Sequence, residues 1–217
     1  MKVLSLELSS SRRAVGLADL ESALPATEVG LESGTDPRRT SAFGLIEKVL
    51  ALSEGKQSVA RLAVGLGPGS YTGIRVAISI AQGWVAARPI EIVGIPSVDI
   101  LVEQVRRQGV RGSISFAFDA QRGEVYLARY VFAESDPATL DHGLRLMSLT
   151  EADERLAAGE RIVGPDLEKL LPQVTPLFPS AAVLAELART STNRIAPEAL
   201  EPVYLRETTF VKLAPGM

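Results

Sequence analysis

Residue type and spacing first point to chemistry in the run Gly65-Leu66-Gly67-Pro68-Gly69-Ser70-Tyr71-Thr72-Gly73-Ile74-Arg75. Its glycines permit backbone angles and close approaches that other residues resist, and either Ser70 or Thr72 can cap a helix that follows. A glycine-rich turn opening a helix offers backbone N–H groups and the positive end of the helix dipole, an arrangement that binds anions. The phosphate signatures nevertheless do not match. A P-loop would end in Gly-Lys-Ser/Thr, and Gly67, Gly69 and Gly73 give G-x-G-x-x-x-G, one residue longer than the dinucleotide fingerprint. Ser70 reads either as a nucleophile or phosphate donor, or as a cap; no base is in view to activate it, which favours the cap. Arg75, one turn into the helix, can reach an anion or pair with a carboxylate such as Asp119 or Glu124.

Other reactive side chains are few. His142 is the sole histidine and lies in Asp141-His142-Gly143, read as an exposed turn, so a two-histidine metal site within one chain is excluded. No cysteine is present, which removes disulfides, thiolate metal sites and a cysteine nucleophile. A Ser-His-Asp triad would have to use His142, and no G-x-S-x-G elbow accompanies it. Asp119, at a strand end with Arg122 and Glu124 around a hairpin turn, fits an interdomain salt bridge or a vestigial cleft. On this reading no residue is assigned as catalytic and none as a metal ligand.

These residues must be held by an ordinary folded protein. The chain has 217 residues, is 46% hydrophobic and 23% charged, and carries a net charge of −3, which excludes a disordered tail and a polycation that condenses on nucleic acid unaided. Arg106, Arg107 and Arg111 form only a small basic cluster, read as solvated surface. The opening Val3-Leu4-Ser5-Leu6-Glu7-Leu8 alternates like a strand and is too short for a signal-peptide core, and no segment is long enough to span a bilayer. A cytoplasmic protein is expected.

The periodicities describe a unit used twice. Strands are expected near 2 to 8, 14 to 19 and 27 to 31, then a helix near 38 to 53, a strand near 61 to 66, a helix near 72 to 87 and a strand near 90 to 95. A connecting helix starts near Ile95-Pro96-Ser97, with Ser97 as its cap, and ends at Arg106-Arg107-Gln108-Gly109. The second half repeats the order: strands near 113 to 118, 123 to 132 and 143 to 148, a helix from Thr150 to Ala158 with Thr150 and Asp153 as a loose capping box, a strand around Arg161 to Val163 and a helix near 181 to 190. A three-strand meander followed by βαβ crossovers makes a mixed sheet with helices on its faces. The expectation is therefore α/β with two domains, residues 1–100 and a smaller 101–217, the final segment being allowed to pack back on the first.

Two helices of the first half are apolar on more than one side. Near 72 to 87, Ile74, Ala77, Ile78, Ala81 and Val85 make one stripe and Val76, Ile80 and Trp84 another; near 38 to 53, Ala42, Leu45, Val49 and Leu52 make one and Phe43, Ile46 and Leu50 another. A helix on a sheet normally shows water its outer surface, so the second stripes need a cover. The small residues Gly73, Ala77, Ala81 and Gly83 would let a helix approach closely. Phe43, Ile46, Leu50, Val76, Ile80 and Trp84 are accordingly read as a partner interface, with Phe43 and Ile80 outward.

Three islands of sequence resemble one family. Pro68 through Arg75 matches at every position the signature G-P-G-S-[FY]-T-G-[LI]-R of the TsaB family, also called YeaZ, bacterial proteins of threonylcarbamoyladenosine (t6A) tRNA modification. Asp119-Ala120-Gln121-Arg122-Gly123-Glu124-Val125-Tyr126 is similar to the family's Asp-Ala-Arg-x-x-Glu-Val-Tyr, and Pro202-Val203-Tyr204-Leu205-Arg206 is the third island. The resemblance implies two ribonuclease-H-like halves of the actin/Hsp70/sugar-kinase superfamily. It implies an accessory role rather than an enzyme: a heterodimer with TsaD through the apolar helices, a TsaE ATPase joining, tRNA engaged only through the complex, and a homodimer through the same helices when TsaD is absent. The superfamily's enzymes hold nucleotide and metal between their halves, with an acid on the first strand. Here that position is Glu7, in Glu7-Leu8-Ser9 where the family usually has Asp-Thr, so the group Glu7, Gly69, Ser70, Thr72, Arg75, Asp119 and Glu124 is read as a vestigial cleft. No cofactor is expected, with room left for weak ATP or ADP binding. The alternative is an independent nucleotide-dependent enzyme of actin-like fold or a glycoprotease-type peptidase.

Overall fold

The computed structural model describes residues 1–30, 42–53, 55–133 and 138–203. Two five-stranded mixed sheets form its frame. The first contains β1 (Lys2–Glu7), β2 (Ala14–Asp19), β3 (Thr27–Gly30), β4 (Val59–Gly65) and β5 (Glu91–Ile95) in the order β3-β2-β1-β4-β5. The meander pairs antiparallel, whereas β4 and β5 join β1 in parallel through crossovers. Its helices are α1 (Ala42–Leu50) and α2 (Tyr71–Ala87). Helix α3 (Ser97–Arg107) leads to the second sheet, built from β6 (Gly112–Asp119), β7 (Glu124–Phe132), β8 (Thr139–Ser148), β9 (Ile162–Gly164) and β10 (Thr175–Pro176). Helices α4 (Leu149–Ala157) and α5 (Ala181–Thr190), with short 3-10 turns at Lys56–Ser58 and Pro197–Ala199, complete the described elements. The architecture is that of two ribonuclease-H-like halves.

β1 is buried on both faces because helices cover both. Leu4, Leu6 and Leu8 pack with Leu62, Val64, Ile74 and Ile78 beneath α1 and α2, while Val3 faces Leu184, Ala185 and Ala188 of α5. Ser5 donates to the Ala181 carbonyl at 2.6 Å, and Arg61 from β4 donates to the Ala188 carbonyl at 2.6 Å, so both ends of α5 are fastened to the first sheet.

Several local expectations need correction. α4 is capped by Ser148, whose hydroxyl accepts from the Glu151 amide; Ser148-x-x-Glu151 has the capping-box spacing, and Thr150 lies inside the helix. Pro96 takes the N-cap position of α3, and the Ser97 hydroxyl turns inward instead. His142 is in β8, opposite Arg129, not in a turn. The two-residue β10 has no apolar run to announce it. Residues 38 to 41 of the expected first helix and Tyr204-Leu205-Arg206 of the third island lie outside the described residues.

Candidate functional site

The glycine-rich turn is shaped by the end of β1. Gly69 has φ +145°, and a Cβ there would lie 2.2 Å from the Ser9 carbonyl oxygen; a Cβ on Gly73 would lie 1.9 Å from that of Leu8. Both glycines let the first turn of α2 press against the Leu8–Ser9 backbone. The Ser70 amide donates to the Ser9 carbonyl at 2.6 Å, and the Ser70 hydroxyl caps α2 by accepting from the Gly73 amide at 3.3 Å. Thr72 lies inside the helix.

Glu7 is not a solvated acid at a strand end. It is fully buried, with Oε1 accepting from the Ser9 amide at 2.8 Å and Oε2 from the Ser97 hydroxyl at 3.0 Å. Its carboxylate fills the space over Gly65, where a Cβ would meet Oε2 at 2.0 Å. Burial pushes the Glu7 carboxyl above its ordinary value, against the opposing effect of the Ser9 and Ser97 hydrogen bonds.

Between the halves lies a cleft of about 640 Å³ that brings together Gly69, Ser70, Thr72 and Asp119 with Ser9 and Asp166. Glu7, Arg75 and Glu124 are not among its lining residues. The Asp119 carboxylate accepts from the Gln121 amide at 2.7 Å and from Gln121 Nε2 at 2.5 Å, which helps hold Gln121 and Arg122 in left-handed backbone conformation, φ 61° and 59°. Asp166 accepts from the Ser11 amide at 2.8 Å and from the Ser11 hydroxyl, joining the two walls. The first-strand acid does not fit the role of a metal ligand facing this cleft, because it is sealed beneath the turn and directed at Ser97. Among the described residues no group of three or more His, Cys, Asp or Glu side chains could hold a metal ion. No described helix is long and apolar enough to cross a membrane.

A groove of about 400 Å³ opens between α1 and α2, lined by Phe43, Tyr71, Arg75, Val76 and Ile80. Arg75 lines this groove and not the cleft, its guanidinium lying 4.0 Å over the ring of Tyr71, which borders both. Phe43 is 63% exposed, Tyr71 56% and Val76 37%. Leu50 and Trp84 are half-buried against the core, while Ile46 and Ile80 are inside it. The outward position assigned to Ile80 is therefore corrected: the helix turns that residue toward the chain's own core. Tyr71, Ser11 and Asp166 were not singled out from sequence, and Ser97 was read only as a helix cap; among the first three Tyr71 alone carried a signal, as the aromatic residue of the turn motif.

The TsaD family profile, tRNA N6-adenosine threonylcarbamoyltransferase, matches residues 40–160. The tRNA threonylcarbamoyladenosine biosynthesis protein TsaB of Escherichia coli (strain K12) is 32% identical over 178 residues, 71% of this chain and 74% of that protein. The protein of the same name from Haemophilus influenzae is 27% identical over 192 residues, 79% and 81% of the two chains. Among solved structures, YeaZ from Pseudomonas aeruginosa superposes with a TM-score of 0.70 at 24% identity, covering 94% of this chain and 99% of that one, a likeness of fold. On the extent and level of this identity, the chain belongs to the TsaB (YeaZ) family.

Proposed function

We propose that this chain is a non-catalytic scaffold in t6A synthesis, which binds a TsaD subunit and, with a TsaE ATPase, supports threonylcarbamoyl transfer to adenosine 37 of ANN-decoding tRNAs. The observation that carries the reading is the α1–α2 groove, where Phe43, Tyr71 and Val76 expose apolar and aromatic surface on helices whose inner faces are already packed. A helix pair from a partner subunit would bury that surface, and a second copy of this chain would cover it when the partner is absent. Residues 1–100 are the partner-binding unit on this reading and 101–217 the smaller second unit. The tRNA is held by the complex, in keeping with a net charge of −3. The scaffold acts by favouring a competent state of its partner. The placement of Glu7 supports the absence of a nucleotide-dependent active site, since its carboxylate serves Ser9 and Ser97.

The test is t6A formation on unmodified tRNA by TsaD, TsaE and the threonylcarbamoyl-adenylate synthase, with and without this protein. Dependence on the protein, with no turnover by the protein alone, is the expected result. Full activity without it would refute the scaffold reading, and turnover by the purified chain would favour an independent enzyme acting in the cleft.

A further inference from the structure

Glu7 joins parts of the chain that are far apart in sequence. Its Oε2 receives the Ser97 hydroxyl at the start of α3, and that same hydroxyl accepts from the Gly67 amide at 3.2 Å while the Ser97 amide donates to the Gly67 carbonyl at 2.6 Å. Its Oε1 receives the Ser9 amide, and the Ser9 carbonyl receives the amide of Ser70, the cap of α2. One buried carboxyl thus links the first turn of α2 to the first turn of α3. Helix α3 in turn belongs to both halves: Ile100 packs with Val3, Ala63 and Val93, whereas Val98, Leu101 and Val105 pack with Ile114 and Phe116 of the second sheet. α2 carries the exposed groove.

We propose that Glu7 is a positioning residue that couples the N-terminus of α2 to that of α3, so that the groove-bearing helix and the helix set between the two halves move as one body. Three features converge on this role. The carboxyl is fully buried and forms no ion pair among the described residues, the charged group acting on it being the acidic Glu28 of β3. The glycine at position 65 leaves it the room it occupies. Oε2 points to the hydroxyl at the start of α3 and Oε1 to the Ser9 amide, whose carbonyl carries the start of α2, and Glu7 itself does not line the cleft. The glutamate spans Ser97 and Ser9 together from this strand position, and an aspartate there is one methylene shorter.

Amide hydrogen exchange on the full chain tests the coupling, comparing wild type with Glu7→Gln, Glu7→Asp and Ser97→Ala. Glu7→Gln preserves one acceptor and one polar contact of the same length and is expected to exchange like wild type. Glu7→Asp and Ser97→Ala should each speed exchange at Gly67 and also at Ser9, by about tenfold, the equivalent of one lost hydrogen bond. Among the described residues Ser97 forms no hydrogen bond with Ser9, whose amide is held by Glu7 Oε1, so acceleration at Ser9 in Ser97→Ala is the signature of transmission through Glu7. An effect confined to Gly67, a uniform acceleration over the whole chain, or a Glu7→Gln variant as fast as Glu7→Asp would each overturn the proposal. Ser97→Ala keeps the test decisive should Glu7→Asp fail to fold. The consequence for partner binding rests on the scaffold reading: Glu7→Asp should weaken TsaD association about tenfold in calorimetry while Glu7→Gln does not. A wild-type chain that binds no TsaD would refute that reading, and the exchange result would still decide the coupling.

Discussion

The two halves share one topology and differ in what they have kept. Read outward from the central strand, the first sheet runs β1, β2, β3 to one side and β4, β5 to the other; the second runs β6, β7, β8 and β9, β10 with the same senses of pairing. In the first half the β4-to-β5 crossover is the 17-residue α2; in the second, β9 and β10 are three and two residues long and no helix lies between them. The reduced half has no counterpart of the α2 surface. Equivalent acids diverge as well. Glu7 and Asp119 both end the central strand of their sheet, yet Glu7 is sealed under a helix start while Asp119 lines the cleft and organises a tight turn. A duplicated scaffold leaves each copy of a residue free to take a different role, because its surroundings, not its position in the strand order, decide its solvation and partners.

The largest expected effect separates the faces of α2. Ile80→Asp places a charge in the core and should cost on the order of 4 kcal/mol, read as unfolding at low denaturant. Val76→Asp, one turn earlier and exposed, should leave the denaturation midpoint nearly unchanged yet weaken TsaD binding about a hundredfold in calorimetry. Equal behaviour of the two variants would erase the distinction between core and groove. Next is Gly73→Ala, which forces α2 away from the Leu8 carbonyl and should destabilise by about 2 kcal/mol in chemical denaturation.

The Glu7 comparison sharpens with pH. Its carboxyl is raised above the ordinary 4.5, so the folded state holds the proton more tightly than the unfolded chain. That contribution is fully present below pH 4.5 and is lost as pH rises through the folded-state value. Glu7→Gln, which cannot ionise, should therefore gain stability relative to wild type from pH 4.5 upward and then level off, as measured by urea unfolding across the range; a constant difference would show that the carboxyl is not desolvated. The smallest effect concerns the cleft. Millimolar ATP with Mg²⁺ should raise Tm by no more than about 1 °C, and a larger shift would show that the cleft keeps a nucleotide site despite the sealed acid.

Much of the frame was legible because apolar periodicity reports burial directly. The alternation of Val3 to Leu8, the stripes of α2 and the repeated meander gave the element order, and the Gly67-to-Arg75 motif with the Asp119 island pointed to the family. The capping of α2 by Ser70 was also within reach, since a cap acts within three residues. Positions that depend on distant partners were not. Ile80 and Val76 are both apolar residues on the second stripe of α2, and only the packing of α1 and the sheet makes one core and the other surface. Ser97 has the residue type of a cap, but Glu7, ninety residues away, offers its hydroxyl a better acceptor. The strand and helix order apart from β10, the repeated meander and the motif that carries kinship were all present in the amino-acid order, since they follow from local periodicity and short-range chemistry. Tertiary structure alone decided which apolar face meets solvent and which of two equivalent acids is buried, because desolvation and hydrogen-bond partnership are set by groups that the chain brings together only when folded.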